Sequence, residues 1–94
     1  SFTSGFINSA SGDYSFAVGE SNVSSAQYAF SCGLDNTASG YCSFAANARN
    51  TSSAVFSSAF GSYGNASITL QIVQGGGDAL GLYQTSQYIL RAST

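Results

Sequence analysis

A spacing of 14 residues runs through most of this chain, and a fixed short period constrains the fold more than any other feature of the sequence. The period divides residues 11–66 into four successive units: SGDYSFAVGESNVS, SAQYAFSCGLDNTA, SGYCSFAANARNTS and SAVFSSAFGSYGNA. Ser11, Ser25, Ser39, Ser53 and Ser67 share one column. Phe2, Phe16, Phe30 and Phe44 share a second, and Asn8, Asn22, Asn36 and Asn50 a third. Gly5, Gly19, Gly33 and Gly61 form a fourth, in which Asn47 fills the one gap. Residues 1–10 read as most of one earlier unit. Repetition at this length implies one small structural unit per repeat, each stacked on its neighbours.

The unit itself reads as extended chain. Tyr14, Phe16 and Val18 alternate with Ser15 and Ala17, the period-2 pattern of a strand. A shorter extended piece follows near residues 22–25. Frequent Gly and Ser oppose helix. Two short strands and two turns per repeat describe one coil of an all-β solenoid, with coils about 4.8 Å apart. The Gly column predicts a tight corner, where Gly takes positive φ without steric cost and Asn47 is an acceptable substitute. The Asn column is read in two ways, as a hydrogen-bonded ladder at the opposite corner or as ordinary turn formers.

So short a coil encloses little space. Ser15, Ala17, Ala29, Ser31, Ser43, Ala45, Ser57 and Ala59 are expected to line it. Tyr14, Phe16, Tyr28, Phe30, Phe44 and Phe56 are then expected to face outward in a column. The alternative is a wider roll with the rings inside. Outward rings form a contiguous apolar stripe, which implies self-association, most simply around a symmetry axis.

These residues resemble a known family. Ser15-Phe16-Ala17-Val18-Gly19 and Ala29-Phe30-Ser31-Cys32-Gly33 are similar to the S-x-A-I/V-G element of YadA-like heads, the head domains of trimeric autotransporter adhesins. The segments 22–26 (NVSSA) and 36–40 (NTASG) resemble the connector of that family. Ser43-Phe44-Ala45-Ala46-Asn47 departs from the pattern at its Gly, and Phe60 stands where Ile or Val is usual. The resemblance covers about residues 2–67. It implies a left-handed parallel β-roll, a homotrimer, and attachment to a host or cell-surface receptor. Similar repeats occur in fibres of phages and large viruses, and the abundance of Phe and Tyr here suits that setting. The expected role is thus a structural attachment module on an extracellular, cell-surface or virion fibre. A self-stacking filament subunit is the main rival, and an ice-binding solenoid a weaker one, since Thr37 and Thr51 share their column with Val23 and Asn65.

After Ser67 the period is expected to stop. Ile68-Thr69-Leu70-Gln71-Ile72 alternates as a strand, Gly75-Gly76-Gly77-Asp78 reads as a turn or joint, and Leu80, Leu82 and Tyr88-Ile89-Leu90 suggest further short strands. The expected division is therefore a roll over residues 1–67 and a cap, or the start of a next module, over 68–94. The other end shows no cap, which points to preceding sequence or to a stacked second copy. The lack of an initiating Met or a signal peptide suggests a processed or excised chain.

Composition narrows the function. The 94 residues carry only two Arg and four Asp or Glu, with no His or Lys. Nothing offers a basic footprint for nucleic acid. No apolar run reaches the roughly 18 residues that suggest a membrane span, so no membrane insertion is expected. Asp13, Glu20, Asp35 and Asp78 are scattered rather than paired, and no base stands ready to activate Ser, so neither an enzyme nor a cofactor is expected. Cys32 and Cys42 fall in columns four residues apart, about 13 Å along a strand, whereas a disulfide needs Cα atoms within about 7 Å. No bond within the chain is expected; one between chains stays open, and two Cys without His make no zinc site. Asn22, Asn50 and Asn65 each begin an N-x-S/T sequence and are candidate glycan acceptors.

Overall fold

The computed structural model describes residues 1–76 and 85–88. It is a parallel β-solenoid of about five coils with no helix among those residues. The long strands are β1 (Phe2–Phe6), β3 (Phe16–Glu20), β5 (Phe30–Leu34), β7 (Phe44–Ala48), β9 (Ser58–Ser62) and β11 (Gln71–Gly76). Between them run two-residue strands: β2 (Ser9–Ala10), β4 (Val23–Ser24), β6 (Thr37–Ala38), β8 (Thr51–Ser52) and β10 (Asn65–Ala66). A last strand, β12 (Thr85–Tyr88), lies antiparallel to β11. The long strands make a seven-stranded sheet in the order β1-β3-β5-β7-β9-β11-β12, and the short ones a five-stranded sheet. Each residue of β3 pairs with the residue 14 further on in β5, as Phe16 with Phe30 and Gly19 with Gly33.

In the first four coils mostly small side chains point inward, because the coil encloses little space. Ser15, Ala17, Ala29, Ser31, Ser43, Ala45, Ser57 and Ala59 are all buried, joined by Ser24, Ala38, Ser52 and Ala66 of the short strands. A hydroxyl sealed in such a space needs a partner. Ser24 Oγ lies 2.7 Å from Ser31 Oγ, and Ser52 Oγ lies 2.6 Å from Ser57 Oγ. No buried side-chain N or O atom among the described residues lacks a hydrogen bond.

The corners differ from expectation. The Gly column sits inside the long strands, as their fourth residue, with φ between 97° and 119°. A Cβ there would strike the next coil: at Gly19 it would lie 2.2 Å from the Gly33 carbonyl oxygen. Asn47 holds the same conformation, with φ of 86°. The true corners are made by Tyr14, Tyr28, Cys42, Phe56 and Leu70 on one side and by Ile7, Ser21, Asp35, Arg49 and Tyr63 on the other, all left-handed with φ of 55–66°. Such a conformation costs an L-residue about 1–2 kcal/mol. From Ser21 onward the corner residue's N–H recovers part of this by donating to the coil before it, as Ser21 does to Phe6 O and Asp35 to Glu20 O.

The roll also runs further than the repeat suggests. Residues 68–70 form a bend and turn, with Leu70 at the left-handed corner, rather than the start of a strand. β11 then pairs with β9 in the same parallel register, Val73 beside Ala59 and Gly75 beside Gly61. Gly75 and Gly76 therefore belong to a strand and not to a turn. The expected turn at Gly77-Asp78 and the strand positions Leu80, Leu82, Ile89 and Leu90 lie outside the described residues. The last coil is disguised because its interior is refitted. Gly64 replaces the column Asn, and a Cβ on it would lie 3.2 Å from Val73 Cγ1, so Val73 fills the room that the missing side chain leaves. Gln71, buried where other coils carry Ser or Ala, accepts the N–H groups of Ser67 and Ile68 at 3.0 and 3.1 Å. In earlier coils such donors go to a carbonyl of the following coil, as Ser11 and Gly12 donate to Ser24 O.

Candidate functional site

Two columns stand out, one inside the roll and one on it. The inner column is a continuous ladder: Asn22, Asn36 and Asn50 have no solvent exposure. Each Oδ1 accepts from the coil that follows. Asn8 Oδ1 takes the backbone N–H and the Nδ2 of Asn22, both at 3.0 Å. Asn22 Oδ1 does the same for Asn36, and Asn36 Oδ1 for Asn50. Each Nδ2 also reaches the carbonyl four residues earlier and the carbonyl eleven residues later; for Asn22 these are Val18 O and Gly33 O, both at 2.8 Å. The ladder ends where Gly64 N–H donates to Asn50 Oδ1. The Asn residues thus follow the corner residues directly and form a hydrogen-bonded ladder, and each satisfies backbone groups that the corner would otherwise leave unpaired. The Gly column is tied to them, because the Gly33 carbonyl that leaves no room for a Cβ on Gly19 is one that Asn22 uses.

The outer column lies on the exposed side of the long sheet. Phe2, Phe16, Phe30 and Phe44 stack with centroids 5.0, 4.6 and 5.1 Å apart and ring planes within 10° of parallel. The coil rise imposes this spacing, close to the optimum for stacked rings. The candidate interface residues do not form one column but two. Phe16, Phe30 and Phe44 belong to the Phe stack, while Tyr14, Tyr28 and Phe56 sit at the left-handed corner beside it. Tyr14 stacks on Tyr28 at 5.3 Å. Cys42 interrupts that corner, and the preceding residue, Tyr41, takes over. Its ring stands edge-on to Tyr28 and to Phe56, 5.9 Å from each. Repulsion between a Tyr41 phenolate and negative charge on the adjacent Cys42 sulfur holds the Tyr41 phenol above its usual pKa range.

Sequence reasoning missed Phe2, Tyr41 and Phe60 as members of this surface. Phe2 was legible from its spacing. Tyr41 and Phe60 stand one residue before and two residues after the periodic positions. Register puts Phe60 beside Ala46 and Ser58 beside Phe44, so a ring is moved along the strand rather than lost. Seen across the sheet, the surface includes Val18, Cys32 and Leu34 as well, and Glu20 is the one charged residue in its long strands β1 to β11.

Stacking has a consequence for binding. A ring inside the stack has its faces covered by its neighbours and turns its edge to solvent. Such a stripe suits packing against another apolar surface more than stacking on a flat ligand.

Cys32 and Cys42 are free and half-buried. Among the described residues, no group of three or more His, Cys, Asp or Glu side chains is placed to hold a metal. Asp35 and Arg49 make an exposed ion pair at 3.9 Å, and the Arg49 guanidinium lies 5.7 Å from the Tyr63 ring centroid. Of the candidate glycan acceptors, Asn65 is exposed, whereas Asn22 and Asn50 are sealed in the ladder. That burial overturns the expectation of corners from which a glycan projects. Comparison with protein-family models, with curated proteins and with solved structures finds no match to this chain.

Proposed function

We propose that this chain is a structural attachment module of an extracellular or virion fibre, built like the head of a trimeric adhesin, in which three copies bring their long sheets together around one axis. It holds or presents a surface for a receptor and carries out no reaction. The observation that carries the reading is the aromatic face. Half or more of Phe2, Tyr14 and Phe56 is exposed in the single chain, and the Phe stack alone spans three coil rises, about 14 Å. An apolar face of this extent on a lone soluble protomer marks a partner surface. The repetition suits a fibre, where many weak contacts act together.

The filament alternative needs free strand edges at both ends. Here the β11 edge is taken by an antiparallel strand, and Gln71 occupies donors that a further coil would use. Both features favour a closed oligomer over end-to-end growth. The test is the native mass by light scattering at two protein concentrations, for the wild type and for Phe30→Ser. A fixed threefold mass that falls in the variant supports the reading. A mass that grows with concentration supports the filament, and a monomer in both overturns association through this face.

A further inference from the structure

We infer that only Asn65, among the three N-x-S/T sequences, accepts an N-linked glycan compatible with the roll, and that a glycan on Asn22 or Asn50 excludes folding. In this transfer a bond forms between Asn Nδ2 and the anomeric carbon of a lipid-linked oligosaccharide. The bond from that carbon to the lipid pyrophosphate breaks, and Nδ2 gives up one proton. The acceptor nitrogen therefore keeps one hydrogen and gains a bulky substituent.

Asn22 and Asn50 tolerate neither change. The Asn22 Nδ2 is ringed by Asn8 Oδ1, Val18 O and Gly33 O at 2.8–3.0 Å. The Asn50 Nδ2 is ringed by Asn36 Oδ1, Ala46 O and Gly61 O. Both side chains are fully buried, and one remaining hydrogen cannot serve three acceptors. Asn65 escapes by a shift of one residue. In its coil Gly64 fills the inward column position, so Asn65 takes the next one, on β10, and a one-residue shift turns a strand side chain to the opposite face. Its neighbour across the short sheet is Thr51, not an Asn of the ladder. The short sheet is separate from the long sheet that carries the Phe stack, so a glycan there leaves the aromatic face open.

A chain entering a compartment that holds this transferase is thus in a race. The ladder must close over Asn22 and Asn50 before the sugar arrives. The test routes the full chain through the secretory pathway of a mammalian cell behind a leader peptide, as wild type and as Ser24→Ala/Ser31→Ala/Ser52→Ala. The variant removes the two inward acceptor sequences without touching the Asn ladder; Ala38 and Ala66 already occupy the column of Ser24 and Ser52, Ser31→Ala removes the hydroxyl that Ser24 would leave unpartnered, and Ser57 keeps its bond to Ala54 O. Protease-resistant molecules are separated, and their glycan sites are mapped by mass spectrometry. Glycan on Asn65, with none on Asn22 or Asn50, is the expected pattern in the resistant fraction. A wild type with no resistant fraction beside a variant that has one also supports the exclusion. A resistant molecule with a glycan on Asn22 or Asn50 overturns it. So does a resistant fraction with Asn65 unmodified, or the absence of a resistant fraction in both chains.

Discussion

The Asn column and the Phe column share one period and one rise, yet their environments are the reverse of those in an ordinary core. Past its first member, Asn8, the polar column is wholly buried, and the apolar one faces solvent. The cause is the size of the coil. Fourteen residues wrapped into two short strands leave room for Ser, Ala and one Asn, whose amide serves the carbonyls at the corner. Rings do not fit and are left outside. Cohesion within a protomer therefore comes from inter-coil hydrogen bonds and ring stacking. In the proposed assembly, the hydrophobic effect, strongest for the large side chains, is left for contacts between molecules.

The comparison can be broken from either side. Asn36→Ala is expected to have the largest effect. It removes donors from Cys32 O, Asn47 O and Asn22 Oδ1, and the acceptor of the Asn50 N–H. Each orphaned buried group costs about 1–3 kcal/mol, so a loss above about 4 kcal/mol in urea denaturation is expected. The same change at Asn8, on the exposed first coil, should cost far less. Gly33→Ala comes next. Its Cβ would lie 2.1 Å from the Asn47 carbonyl oxygen in a left-handed conformation, and the midpoint of thermal unfolding should fall by a margin equal to about 3 kcal/mol.

Phe30→Ser is milder within the protomer. It removes two stacked pairs, worth about 0.5–1.5 kcal/mol each. Ser58 already occupies this column one coil beyond Phe44. Denaturation at a concentration where the chain is monomeric should show a loss of no more than about 3 kcal/mol, while self-association should weaken well beyond that. An equal effect on both would mean that the face belongs to the protomer alone. The smallest change is expected for Asp35→Asn, which removes the charge and keeps a side chain suited to the left-handed corner. Its ion pair with Arg49 is about half exposed, and the stability difference should stay under about 0.5 kcal/mol and vanish in high salt.

The columns of this molecule were legible because a fixed period makes each position report its neighbours above and below. The small interior followed from volume alone. The corners were not legible, since the residues that take left-handed φ here include Tyr28, Cys42 and Phe56, none of which signals that conformation. They are held there by N–H groups that donate to the coil before, a term absent from local propensity. The fifth coil was hidden for another reason. Gln71 and Val73 replace Ser or Ala, and Gly64 replaces Asn, so the columns change chemistry while the register of Gly61 and Gly75 persists. Of the candidate surface, the Phe spacing was visible. The turn of Tyr41 into the gap at Cys42 depended on a neighbour's absence, which a periodic reading passes over.

The most direct test of this inside-out arrangement is hydrogen exchange at the Asn side-chain amides, followed by NMR. Nδ2 protons of Asn22, Asn36 and Asn50 should exchange only as fast as the roll opens, as slowly as the amides of the central long strands, while those of exposed Asn47 exchange freely. Exchange of the three ladder amides at the rate of Asn47 would contradict the account.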